Sequence, residues 1–559
     1  MKMRVADAIV RVLANAGVRH IFGLPGDHGA FYDAMRLDGR IQHLLIRHEQ
    51  AAAHAADGYA RASGRLGVCD ASSGPGATNL ITGIAEAHAS SIPVLAITSS
   101  ARLAVRGRNV FQDLDQVTLF SSITKASYDL VDPTRVAEWT RRAIAKAVSG
   151  RPGPVLLSVP SDVFGMEVDF PDREFKIATD ADVWPSVRLH ASPDDVRKVA
   201  ERLQAAHKPV IWAGGGAIAA GAWGEITELA ELTGAAVATT FMGKGAIAED
   251  HDLAIGPVGA LGRPITNEYV RSADLVLALG SRFTNLDTAG WTVPARTAQV
   301  IQVDIDPCEL GHQQSIAMGI CADARSFAAA LLAHCKSLPW PCAQRRPEVA
   351  SLRQRWLKER GTQSPGAACT GDGPVHPLQV IAALRAAMSP KDTIVNDSGF
   401  NQIWGGQYFE VQRPGRSYIG PRGMGVMGFG LPGALGAAVA NPDGGKCVLL
   451  VGDGGFMMVI QELETLKRLN IPVVVVVLNN GNLEYSKAGQ TARYNGHTTS
   501  CDFSKTDFAA IARAFGCDGM VVNQPAQLQA TFEQALRCPG PVLVDVRTVP
   551  SALPDGLSF

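Results

Sequence analysis

The stretch that most constrains the fold is KCVLLVGDGGFMMVIQELETLKRLNIPVVVVVLNNGN, residues 446–482. CVLLV and VVVVVL are short, continuous and rich in β-branched residues, as strands buried on both faces of a parallel sheet are. Between them Phe456, Val459, Ile460, Leu463, Leu466 and Leu469 recur at helical spacing, so the segment reads as strand–helix–strand. Two parallel strands joined by such a crossover end at the same sheet edge, where open α/β sheets bind ligands. Asp453 and Asn480 close the two strands and therefore face one crevice. A carboxylate and an amide oxygen are hard donors, suited to Mg²⁺ or Ca²⁺ rather than zinc. Gly452, Gly454 and Gly455 allow backbone N–H groups to approach a phosphate at a helix N-terminus.

The same alternation of apolar strands and helix-period segments runs through all 559 residues, too many for one core. It predicts an α/β protein of three doubly wound domains with mostly parallel sheets. The first spans 1–170 and includes an alanine-rich helix from Glu49 to Ser63; a polar stretch near 171–190 reads as a linker. The second, Rossmann-like, spans 191–345. A charged helix and a turn-rich connector cover 343–372, and the third domain spans 373–559. The outer domains end alike, in GPVLLSVP and GPVLVDVR, which suggests two related domains around a different middle one, with chance similarity between βα units as the alternative.

A formal net charge of −1 gives no electrostatic case for nucleic acid or an anionic membrane. Ten cysteines without a CxxC point to reduced thiols and a cytoplasmic location. The N-terminus reads as an amphipathic helix rather than a signal peptide, and no apolar run approaches the ~20 residues of a membrane span.

GDG followed by NN at this spacing resembles the thiamine diphosphate binding motif. The resemblance implies a magnesium ion held by Asp453, Asn480 and the main-chain carbonyl of Asn482. Thiamine chemistry also needs a carboxylic acid beside the cofactor's pyrimidine ring, in a largely dry site. Glu49, in RHEQAAAHAADGYARASG, could by itself be no more than an acid in a helix first turn. The longer stretch through SSGPGATNLITGIAEAHASSIPVLAIT, however, resembles the pyrimidine-binding domain of the acetohydroxyacid (acetolactate) synthase group, whose activating glutamate aligns with Glu49. SGPGATN (73–79) matches a loop beside the cofactor, and VMGFGLPGALGAAVANP (426–442) matches the diphosphate domain, with Met427 at the position that bends the cofactor. The implied cofactor-binding set is Gly26, Glu49, Ser73, Thr78, Asn79, Gly399, Met427, Gly452, Asp453, Gly454, Gly455, Asn480 and Asn482. The resemblance further implies a homodimer or homotetramer, with Glu49 of one chain serving Asp453 of another.

The reaction implied is addition of the cofactor to a 2-oxo acid and loss of CO₂. The remaining carbon then either joins a second carbonyl, giving an acyloin, or takes a proton, giving an aldehyde. Glu49, Asp27, His28 and Gln112 are the candidate catalytic residues. Gln112 matches the FQE glutamine of the synthases and Lys125 their ITK lysine, unless Lys125 is simply a solvated surface charge. Asp27, in GLPGDHGAF, instead resembles the proton-handling acid of pyruvate decarboxylases; its bland alternative is a turn or N-cap residue. The stretch after Asn480, GNLEYSKAGQTARYNGHTTSCDF, departs from the synthase pattern, and Glu484 lies out of register with the decarboxylase glutamate. The favoured expectation is an acetolactate synthase-like carboligase, with simple non-oxidative decarboxylation as runner-up. In the middle domain WAGGGA fits either an FAD-binding turn or tight strand-to-helix packing. LGSRFTNLDT lacks both aspartates and the last arginine of the synthases' GxRFDDR. A flavin or NAD oxidoreductase centred on this turn would leave GDG–NN unexplained, and a non-catalytic subunit would be expected to have lost Glu49, Asp453 or Asn480.

Overall fold

Three six-stranded sheets organise the chain, each built from short β-branched runs and covered by helices, as the alternating pattern predicts. The structure, a computed structural model, describes residues 1–178, 180–363, 374–441, 443–550, 552–554, 556 and 557.

The first sheet has the spatial order Gln42–Leu45, His20–Gly23, Gly67–Ala71, Val94–Ser100, Val155–Pro160, Ala126–Asp129. The third runs Tyr418–Ile419, Thr393–Asn396, Cys447–Gly452, Val473–Asn479, Val542–Arg547, Asp518–Val522. With strands numbered as they occur within each domain, both orders are 2-1-3-4-6-5. The middle sheet is Ala254–Pro257, Ala236–Thr239, Pro209–Ala213, Leu275–Leu279, Gln299–Asp304, Met318–Cys321, or 3-2-1-4-5-6, the dinucleotide-fold order. The outer domains thus share a topology that the middle one lacks, as the repeated strand endings suggest.

The chain forms two compact units: Met1–Val187 with Pro421–Pro442 and Met457–Val473, and Arg188–Gly420 with Asp443–Phe456 and Val474–Phe559. In the first unit, the helix Glu49–Ser63 packs closely on Gly430–Ala440. Small residues allow this. A Cβ on Gly58 would lie 2.2 Å from the Gly433 carbonyl oxygen, and one on Gly436 would lie 1.9 Å from that of Ala55. The polar stretch expected as a linker is tied to this unit. Phe175, Asp182 and Trp184 are buried, and Arg65 bridges to Val183. The charged helix spans Cys342–Gln363, and most of the connector expected after it, 364–373, lies outside the described residues.

One expectation needs correcting. The apolar positions after Asp453 form two short helices, Asp453–Met457 and Glu462–Leu469, rather than one. Phe456 packs edge-on against Phe508 in the second unit, whereas Leu463 and Leu466 bury in the first. A break at 458–461 lets one periodic stretch serve both packings.

Candidate active site

In the second unit, Asp453 follows the strand Cys447–Gly452 and is 4% exposed. Its Oδ1 accepts from Gly454 N at 2.8 Å and its Oδ2 from Gly481 N at 2.6 Å. The ends of the two flanking strands are thereby joined at one edge, as the crossover geometry requires. Burial pushes the Asp453 carboxyl up to about 6, although the N–H groups of Gly481 and Gly454 pull the other way. Asn480 Nδ2 donates to Glu484 Oε2 at 3.0 Å, which orients the amide oxygen toward the Asn482 N–H at 3.2 Å. Asn482 is buried, and its Oδ1 has no hydrogen-bond partner. Asn479 serves the sheet instead, donating to Asp545 Oδ1 at 2.9 Å and to the Thr506 carbonyl at 3.0 Å.

Glycine keeps this edge narrow. A Cβ on Gly455 would lie 2.8 Å from Asp397 Oδ2, and one on Gly454 2.8 Å from Leu483 Cδ2; at Gly452 the nearest atom would be 3.6 Å away. Gly399, with φ +115°, starts the helix Phe400–Tyr408 in the same unit. Among the described residues no cationic side chain forms an ion pair with Asp453. A buried carboxylate without a counter-charge, an oriented amide oxygen and an orphaned buried amide oxygen together fit a hard divalent cation.

In the first unit, Glu49 opens its helix, with the His48 side chain capping Gln50 N at 3.2 Å. Glu49 is 6% exposed, and its Oε2 accepts from Asn79 Nδ2 at 3.0 Å. Gly76 approaches so closely that a Cβ there would lie 3.4 Å from Glu49 Oε1. The same 73–79 loop reaches Asp27. The Ser73 hydroxyl lies 3.0 Å from Asp27 Oδ2 and 3.1 Å from Gln112 Oε1, and Ser99 donates to Asp27 Oδ1. Gln112 holds a left-handed backbone, φ +63°. Gly26 lies against Ser72, where a Cβ would come within 2.3 Å. Thr78 is exposed, and its hydroxyl donates to the Pro75 carbonyl at 3.0 Å. Met427 is half-buried in the turn before Gly430–Ala440.

Two of the candidate residues are held by other segments. His28 is 1% exposed, with Nε2 2.9 Å from Asp70 Oδ2. Lys125 is occupied by a helix C-terminus, donating to the carbonyls of Lys146 at 2.6 Å and Ser149 at 2.8 Å. The sequence reading passed over Glu462, fully buried, whose carboxylate accepts from Arg47 N at 3.1 Å and from the Thr465 hydroxyl at 2.7 Å. It thus anchors the loop leading into Glu49. An acid amid the apolar period of 456–469 is the signal that could have found it. Glu484, set aside as out of register, orients Asn480.

The middle-domain glycines are accounted for by packing. A Cβ on Gly214 would lie 2.2 Å from the Gly280 carbonyl oxygen, and one on Gly216 2.6 Å from Gly280 Cα. Among the described residues no helix is long and apolar enough to cross a membrane.

Comparison with known proteins finds three domain matches. Residues 3–119 match the thiamine pyrophosphate enzyme N-terminal TPP binding domain, 196–331 its central domain and 397–546 its C-terminal TPP binding domain. Among curated proteins, a probable acetolactate synthase large subunit of Methanocaldococcus jannaschii is 37% identical, over 99% of this chain and 93% of its own length. Its counterpart from Methanococcus aeolicus is 35% identical over 98% and 93%. An acetolactate synthase of Mycobacterium bovis is 35% identical over 95% and 85%.

Proposed function

Because the chain belongs to the thiamine pyrophosphate enzyme family, we propose that it decarboxylates a 2-oxo acid and joins the remaining carbon to a second carbonyl. When bound, thiamine diphosphate supplies the electron sink that lets CO₂ leave. Every other task falls to side chains of this protein.

The observation that carries the reading is Glu49, a carboxyl group buried at a helix start and oriented by Asn79. In this reading Glu49 would hold a proton at the cofactor's pyrimidine ring. Asp453, Asn480 and the main-chain carbonyl of Asn482 would hold Mg²⁺, and Gly399, Gly452, Gly454 and Gly455 would let the backbone approach the diphosphate. Gly26, Ser73, Thr78, Asn79 and Met427 line the cofactor's other end, and Gln112 reaches the substrate side through Ser73. The site is completed in a homodimer or homotetramer, with Glu49 and Asp453 drawn from different chains. FAD at the middle domain is an open part of this reading, since close packing also accounts for the glycines of its one suggestive turn; flavin absorbance in the purified protein tests it. A cytoplasmic location belongs to the same reading, and cell fractionation tests it.

The test is incubation of the protein with thiamine diphosphate, Mg²⁺ and a panel of 2-oxo acids, with products read by NMR. Acyloin products are expected. Aldehyde alone would favour the second reading, simple decarboxylation, which needs the accessible Asp27 side chain to act as a proton-donating acid.

A further inference from the structure

Behind Asp27 lies a buried polar chain that the reaction has not yet used. His28 Nε2 sits 2.9 Å from Asp70 Oδ2 and 2.7 Å from the Tyr32 hydroxyl, which donates to the same Asp70 oxygen at 2.6 Å. Asp70, fully buried on the strand Gly67–Ala71, also accepts from His43 Nε2, 2.8 Å from its Oδ1. The other His28 nitrogen, Nδ1, makes no hydrogen bond and lies 3.6 Å from Asp27 Oδ1, within ion-pair range. Phe31 and Phe164 pack against the ring, with centroids 6.1 and 5.7 Å away. Among the described residues, the titratable groups facing His28 are Asp27, Asp70 and Tyr32, with His43 beyond Asp70. Asp27 in turn faces His28 and the Ser73 and Ser99 hydroxyls, and its side chain is 39% exposed.

Two carboxylates flanking one imidazole favour its protonated form. Burial opposes its charge, but Asp27 and Asp70 outweigh that and push His28 up to about 9. Burial would raise both acids as well. Instead His28 and His43 bring Asp70 down to about 2, and His28, Ser99 and Ser73 hold Asp27 well below the usual carboxylate range.

The consequence concerns where a proton can go. Aldehyde release and carboligation each consume one proton per CO₂ lost. In aldehyde release a C–H bond forms at the carbon that lost CO₂, and the proton must come from an acid placed beside it. In carboligation that carbon forms a C–C bond to the acceptor, whose carbonyl oxygen takes a proton that water can deliver. We propose that His28 and Asp70 are positioning residues that hold Asp27 as a carboxylate, denying the reacting carbon an acid and directing it to a second carbonyl. This rests on the thiamine-dependent reading above.

The experiment measures CO₂ release and the aldehyde-to-acyloin ratio of the holoenzyme between about pH 6 and pH 8, a range clear of all three perturbed groups. The wild-type ratio is expected to show no titration step there. His28→Asn and Asp70→Asn should each raise the ratio about tenfold at the acid end, the effect of a one-unit rise in the Asp27 titration midpoint. Adding Asp27→Asn to His28→Asn should return it to the wild-type value. A wild-type ratio rising sigmoidally within the range would overturn the inference, and that measurement stands even if a variant fails to fold. So would folded variants that release CO₂ with an unchanged ratio. Absence of CO₂ release from every 2-oxo acid would remove the underlying reading together with the inference.

Discussion

Two buried glutamates separate chemistry from stability at the level of single side chains. Glu49→Gln keeps the shape and the contact with Asn79 but cannot exchange a proton. Turnover is expected to fall at least about 100-fold, with cofactor affinity retained in calorimetry. Asp453→Ala should fail differently. Affinity for Mg²⁺ and thiamine diphosphate should drop by more than about 100-fold, beyond what loss of an outer contact costs a metal site. Saturating cofactor that restores tight binding would contradict that assignment. Glu462 affects folding instead. Burial pushes its carboxyl from 4.5 to about 7, against the opposing pull of Thr465 and the Arg47 N–H. The neutral acid is therefore the form the fold favours. Its contribution to stability is complete below about pH 4.5 and is lost as pH rises through about 7. Glu462→Gln should flatten that decline and stabilise the protein at pH 8 by on the order of 2 kcal/mol, read from urea midpoints at acid and alkaline pH.

Among the helices, the closest approach is that of Glu49–Ser63 to Gly430–Ala440. With backbone on both sides of Gly58 and Gly436, neither position can take a methyl group without moving a helix. Gly58→Ala should cost about 1–3 kcal/mol, or more if the helices cannot shift, and should lower the thermal midpoint accordingly. Activity should fall with it, because the helix that moves begins with Glu49. An alanine-rich helix is legible in the sequence as a helix; that its small residues exist for a close crossing is not, because the partner lies almost 400 positions further along the chain. The broken helix after Asp453 has the same origin. Periodicity registers which positions are apolar, not that they bury in two different places.

For the molecule as a whole, the decisive prediction concerns chain number. If each site takes Glu49 from one chain and Asp453 from another, two inactive variants should complement. Mixing Glu49→Gln with Asp453→Ala under exchange gives heterodimers with one intact site each. Activity should return to about a quarter of wild type, from statistical pairing in a two-fold dimer. No recovery, with exchange shown by mass spectrometry, would place both residues of a site in one chain.

The strand-ending aspartate and asparagines, the glycines between them and the glutamate at the head of an alanine-rich helix were readable in the linear chain. Local pattern dictates strand and helix, and parallel crossovers leave few choices of edge. Three domains followed from length and alternation, and the identical order of the two outer sheets agrees with an echo of eight residues. Contacts between distant segments decided the rest. The nitrogen of Lys125 meets the end of another helix, and His28 packs against Asp70 from a different strand. Whether an ionisable group is buried, and what charge lies beside it, depends on segments far apart in sequence. No local pattern encodes that proximity, and it is what buries His28 against Asp70.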